Sequence, residues 1–162
     1  MQSPFYKIIL CAIFILLFAI TLIAYQHYKS QQLQQQAFLI YKLADDFYYR
    51  SGNIPNILRL VEENKPILKI NGGEFKETDL DDYLGFFEGL DLYVYYDVLR
   101  SDWVDDQFGY YIARAYKNEE IKEYLIKVRK DSQLPEYLFA GFESRAKKIM
   151  QDDSIYIASK KK

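Results

Sequence analysis

The sequence predicts an all-α protein: a single N-terminal transmembrane helix, then a helical stalk, then an antiparallel helical bundle. Three observations support that class. Residues Ile8 to Tyr25 run for 18 positions without a charge. Gln26 to Tyr49 contains neither Pro nor Gly and is rich in good helix formers. In the second half, apolar residues recur at helical rather than strand spacing. The 162 residues are 50% hydrophobic and 27% charged, with a formal net charge of -2. That suits one small domain and is too polar for many membrane spans. The expected organisation is an anchor over 1–28, a stalk over 29–52, a helical domain over 53–152 and a basic tail over 153–162.

Phe5 and Tyr6 extend the uncharged run to the roughly 20 residues that a helix needs to cross about 30 Å of hydrocarbon. Tyr6 and Lys7 at one end, and Tyr25, His27, Tyr28 and Lys29 at the other, fit the two headgroup zones. A cleaved signal peptide is the competing reading. Its apolar core is typically about 7–15 residues, and a cut after Ala24 would put Leu22 where a small residue belongs. The expected location is therefore a membrane, single-pass, with the lipid bilayer as one partner. The side of the soluble domain is left open, because Lys7 and the terminal amine balance Lys29 and Lys42. Cys11 lies inside the span as a small apolar filler.

After the stalk, Gly52 marks a stop and Pro55 suits the first turn of a short helix with Ile57, Leu58 and Val61 on its apolar stripe. Asn64-Lys65-Pro66 ends it. Asn71-Gly72-Gly73 signals a turn, expected as a small hairpin between ILKI and EFK. Thr78 is the expected cap of the next helix, with Asp79, Asp81 and Asp82 at its positive end. The EF-hand spacing is absent. On that helix Leu80, Tyr83, Leu84, Phe87, Leu90, Val94 and Val98 form one stripe, Phe86 and Tyr93 a second ridge, and little of the circumference suits water. Gly85 and Gly89, four apart, are expected to pack against Gly109 and Ala113 of the following helix, which starts at Ser101 or Asp102. Val104, Phe108, Tyr111, Ile112, Ala115 and Tyr116 form the inner side of that helix. Asn118 caps EEIKEYLIKVRK, whose Glu119–Lys122 and Glu123–Lys127 pairs face solvent. Pro135 opens the last helix, with Leu138, Phe142, Ala146 and Ile149 inward.

The motifs Asp79 to Glu88 (DLDDYLGFFE), Phe108 to Ile112 (FGYYI), Glu120 to Leu125 (EIKEYL) and Phe142-Glu143 occur in that order. They resemble a bacterial domain-of-unknown-function family with a DxDDYLGFFE, FGYYI and EIKEYI series, often behind a membrane segment. The resemblance covers roughly residues 70–148. It implies an all-helical fold and a membrane link, with the bacterial inner membrane as the expected location, and no activity.

The chemistry open to the chain is narrow. One Cys excludes an internal disulfide or a thiolate zinc cage. The one His, at the membrane edge, has no placed nucleophile partner. Nucleotide-binding, zinc-protease and hydrolase motifs are absent, and no cofactor is expected. Residues 74–106 hold 11 acidic against 2 basic side chains, a net of -9, whereas 107–162 hold 12 basic against 8 acidic, a net of +4. The two segments are complementary. Glu88 and Asp91, three apart and joined by Tyr95, are the candidate catalytic acids if the pair is buried with raised pKa values. The alternative is that they pair with Arg114 or with Lys side chains of the next helices. The 27 Phe and Tyr residues could stack bases, but the chain is acidic and the rings keep core spacing, so no nucleic-acid partner is expected. Lys160 to Lys162, with Arg145, Lys147 and Lys148, are candidates for anionic lipid. The expected role is a protein-interaction or scaffolding module, acting on an unknown protein partner or by self-association. The runner-up is a carboxylate-dependent enzyme, with or without a divalent metal, centred on Glu88 and Asp91.

Overall fold

Pro4 opens a helix that no Gly and no further Pro interrupts, and the apolar run and the Gln-rich stretch fuse into α1, Pro4–Asp45, of 42 residues. The computed structural model describes residues 4–50, 52–132 and 137–160, with side chains at 11–50, 52–132 and 137–152. Among these residues the protein is all-helical, and its one isolated β-bridge joins Leu68 and Phe75. The chain forms two units, Met1–Leu39 and Ile40–Lys162. In the first, α1 is long and apolar enough to cross a membrane, and none of that apolar window is buried by the rest of the protein. Phe14, Ile15, Phe18 and Ile23 are 64%, 71%, 66% and 67% exposed.

Within the second unit, α1 ends at Asp45 and the chain widens into a π turn, Asp46–Arg50. Gly52, at φ +52°, ends the helical run by donating its N–H to the Arg50 carbonyl at 3.0 Å. The π turn places Phe47 in the core, fully buried among the rings of Tyr48, Tyr83, Phe86, Phe87, Phe108 and Tyr111. Helix α2, Ile54–Glu62, has Pro55 in its first turn and buries Ile54, Ile57, Leu58, Leu60 and Val61.

The hairpin expected around Asn71-Gly72-Gly73 does not form. Lys69–Asn71 is a short 3-10 turn, and Leu68 and Phe75 make a single bridge. The cause lies on a later helix. The Glu120 carboxylate takes the N–H groups of Ile67 and Leu68 at 2.7 and 2.8 Å and the Asn71 amide at 2.8 Å, so one donor of the would-be ladder, the Ile67 N–H, is already used. Gly73 is required here, because a Cβ would lie 2.3 Å from the Ile67 carbonyl oxygen.

Helix α3, Glu77–Tyr95, starts one residue before the expected Thr78 cap. Asp79 supplies the cap: its carboxylate accepts from the Lys76 N–H and from Asn53 Nδ2, both at 2.8 Å. First the Lys76 N–H and then the Asn53 amide hold this carboxyl below the usual range. The helix continues through Gly89 and buries Leu80, Tyr83, Leu84, Phe87 and Leu90. It ends sooner than the stripe implied. Asp97 adopts φ 56°, Val98 is 41% exposed, and Leu99 fills the core instead at 2%. The expectation that little of α3 meets water also fails, since Tyr95 and Tyr96 are 75% and 69% exposed.

Helix α4, Ser101–Lys117, follows Arg100, which pairs with Asp102 and lies 5.3 Å over the Trp103 ring. Helix α5, Glu119–Asp131, has the expected cap, with Asn118 Oδ1 accepting the Ile121 N–H at 3.1 Å. Glu119 pairs with Lys122 at 2.8 Å as expected, whereas Lys127 reaches Glu77 on α3. Helix α6, Ala140–Lys160, packs against α3 and α4. Pro135, its expected opening, lies outside the described residues, but Tyr137 to Phe139 form a turn with Phe139 at φ 57°, so the helix starts only at Ala140 and Leu138, expected on its inward stripe, precedes it. Phe142 and Ala146 are fully buried on it.

Gly85 and Gly89 do not meet Gly109 and Ala113. A Cβ at either α3 glycine would have nothing within 4 Å, while one at Gly109 would touch Ile149 of α6 at 3.6 Å. Replacing Gly85 or Gly89 with Ala should therefore stabilise the domain, by about 0.5–1 kcal/mol each through helix propensity. Thermal unfolding of the full chain in detergent checks this, and a lower midpoint would restore a packing role for these glycines.

Candidate functional site

The two candidate acids converge on α6. Glu88 Oε1 and Oε2 accept the N–H groups of Gly141 and Phe142 at 3.2 and 2.8 Å. A carboxylate of α3 thus satisfies orphan donors in the first turn of α6 and places negative charge at its positive end. Asp91, one turn along α3, meets Arg145. Its Oδ1 accepts from Arg145 Nε at 3.0 Å and lies 2.9 Å from Nη2. Gly141 makes room for this: a Cβ there would lie 2.7 Å from Asp91 Oδ2.

Arg145 also donates from Nη1 to Asp105 Oδ1 of α4 at 2.7 Å and to Ser101 Oγ at 3.4 Å. Ser101 donates to Asp105 Oδ2 at 3.2 Å, and Lys148 Nζ donates to Ser101 Oγ at 3.1 Å. The Arg145 side chain is 5% exposed, against 30% and 25% for its two acids. A second contact braces the start of α6: Arg129 donates to the Leu138 carbonyl at 2.8 and 3.1 Å and to Glu143 Oε1 at 3.1 Å.

This arrangement places Glu88 and Asp91 on one polar seam and leaves Tyr95 outside it, stacked edge-on against Tyr96. Arg114, the expected partner, instead donates to the Glu62 carbonyl at 2.9 Å. Arg145, expected among lipid-facing cations, is buried. Sequence reasoning missed Arg145 and Asp105, though a signal existed. Arg145 falls three residues after Phe142 and one before Ala146, on the inward stripe, and Asp105 directly follows the buried Val104. Opposite charges at inward positions on two helices are the pattern of a tertiary ion pair.

The cluster holds a helix in place. Every acid in it is bonded to a cation or to backbone N–H, and Ser101 has no imidazole beside it. Among the described residues no group of three or more His, Cys, Asp or Glu side chains converges as metal ligands do. Neither Glu88 nor Asp91 lines the grooves of about 460, 300 and 420 Å³ on the domain surface. Because both acids hold α6, loss of function in a Glu88→Gln, Asp91→Asn variant would report on stability before chemistry.

Elsewhere, Asp81 accepts from the Tyr124 hydroxyl at 2.5 Å, and burial, then this carboxylate, push the phenol up. Tyr83 is fully buried, its hydroxyl has no partner among the described residues, and burial raises it too. On α1, Tyr25, His27, Tyr28 and Lys29 are exposed, and Gln32 donates to the Tyr28 hydroxyl at 2.8 Å. The side chains of Tyr6, Lys7 and residues 153–162 lie outside the described residues.

No family model, no curated protein and no solved structure matches the chain.

Proposed function

We propose that this chain is a single-pass membrane protein whose helical bundle works through contacts with other proteins, as a scaffold or interaction module rather than a catalyst. One observation carries the reading: the large apolar side chains between Ile13 and Tyr25 of α1 are uncovered by the protein itself, from Leu22 at 47% to Ile15 at 71% exposed. At roughly 25 cal/mol per Å² of apolar area, a helix of this length in water is strongly disfavoured, and lipid is the solvent that relieves it. The seam around Arg145 agrees, because the acids that an enzyme would need are used to secure α6. The motif series that resembles membrane-linked helical proteins points the same way.

The test is fractionation of the full-length protein expressed in bacteria. The intact chain should remain in the membrane pellet after alkaline carbonate washing, and a reporter at its C-terminus fixes the side of the domain. Recovery of a soluble product lacking about the first 24 residues would establish the signal-peptide alternative instead.

A further inference from the structure

We propose that the groove at the foot of α1 receives a second copy of this chain. The inference rests on the membrane-anchored reading and names the partner for it. The groove, about 420 Å³, is lined by Ile40, Tyr41, Ala44, Tyr48, Tyr49 and Gln107, with Asp45 at its edge. Its floor is closed by the Tyr48 hydroxyl, which donates to the Gln107 carbonyl at 3.4 Å. Tyr41 and Tyr49 stand 72% and 79% exposed beside it. Exposed aromatic rings over a concave apolar surface are the composition of an interface core.

Charge selects the occupant. Copies anchored in one bilayer all stand the same way up, so a closed pair is related by a two-fold axis along the membrane normal. Near such an axis each residue meets its own counterpart, which uncharged side chains tolerate and single charges do not. The groove satisfies this condition. Its one acid, Asp45, is neutralised within its own chain by Arg50 at 2.8 Å. The sequence leading into the groove, Ser30 to Tyr41, has no charge in a chain that is 27% charged. Its glutamines carry both donors and acceptors and can bond to copies of themselves. A partner recognised by opposite charge finds no unpaired charge among the residues that line the groove, and the exposed Lys42 stands outside that lining. Confinement in the membrane raises the local concentration of copies, so a contact of modest area suffices.

The experiment uses full-length protein in native membranes, with Cys11→Ser as background and single Tyr41→Cys, Tyr49→Cys or Ile126→Cys substitutions. Ile126, 70% exposed on α5, is the control. A short bismaleimide should give about tenfold more dimer at positions 41 and 49 than at 126. Tyr41→Glu with Tyr49→Glu should abolish a cross-link introduced at Ala44→Cys while helicity and Trp103 fluorescence stay unchanged. Membrane-bound protein with no dimer, with equal yields at all three positions, or with an adduct to a different polypeptide, overturns the inference and leaves the anchor intact. Protein found in the soluble fraction overturns the anchor and the pairing together.

Discussion

Replacing Arg145 with Ala should cost about 3–5 kcal/mol of stability, the range for removing one partner of a buried ion pair. The guanidinium is the shared counter-ion of Asp91 and Asp105, and it also donates to Ser101. Without it, two carboxylates that are 30% and 25% exposed are left facing each other across α3 and α4. For a domain of this size the loss corresponds to a fall of roughly 10–20 °C in the unfolding midpoint. Trp103, the only Trp and half-buried on α4, reports that transition. Arg145→Lys should fall between the parent and Arg145→Ala, because an ammonium retains the charge but cannot span both acids as a planar fork does. Lys148→Ala is the control: that side chain is 55% exposed and 3.6 Å from Asp105, so it should change stability by less than about 1 kcal/mol. A change below about 1 kcal/mol for Arg145→Ala as well would remove the seam as the device that secures α6.

Phe47→Ala should be as damaging, at about 3–5 kcal/mol, for an unrelated reason. The ring is fully buried and touches six other aromatic rings, with centroids from 4.8 Å to Phe86 out to 6.4 Å to Tyr83. Truncation opens a cavity that these rigid rings cannot refill and forfeits edge-to-face contacts with Tyr48 and Phe108. Phe47→Leu should recover about half of the loss. Tyr95→Ala, at a site 75% exposed, should stay within about 0.5 kcal/mol of the parent. Denaturant unfolding of the full chain in detergent measures all three. If Phe47→Ala unfolded like Tyr95→Ala, the π turn would not be part of the core.

Much of the helical layout can be read from spacing and caps. The uninterrupted α1, Pro55 in the first turn of α2, Asn118 ahead of α5 and the inward stripe of α6 each follow from local rules that tertiary contacts did not override. The misses come from places where a distant residue decides. Glu120 reads as an acid at a helix N-terminus, yet it binds the loop more than 50 positions earlier and prevents a hairpin. The four-residue apolar spacing through Val94 and Val98 suggests more helix, but Asp97 turns left-handed and Leu99 takes the core position. The glycines of α3 are small, but size does not say which neighbour, if any, lies over them. Spacing on α3 groups Glu88 with Asp91 but reveals neither the backbone N–H groups that Glu88 caps nor the cation that Asp91 meets, because an arginine on a lysine-rich helix looks solvated until Asp91 and Asp105 are seen opposite it.

The seam also bears on how the domain is assembled. Asp91 precedes Arg145 by 54 residues and Asp105 precedes it by 40. As the polypeptide is synthesised, both acids leave the ribosome well before their counter-ion exists, and until then water alone solvates them. Docking of α6 is then the step that expels that water, so slowing elongation between Asp105 and Arg145 should lengthen the life of an open, acidic intermediate.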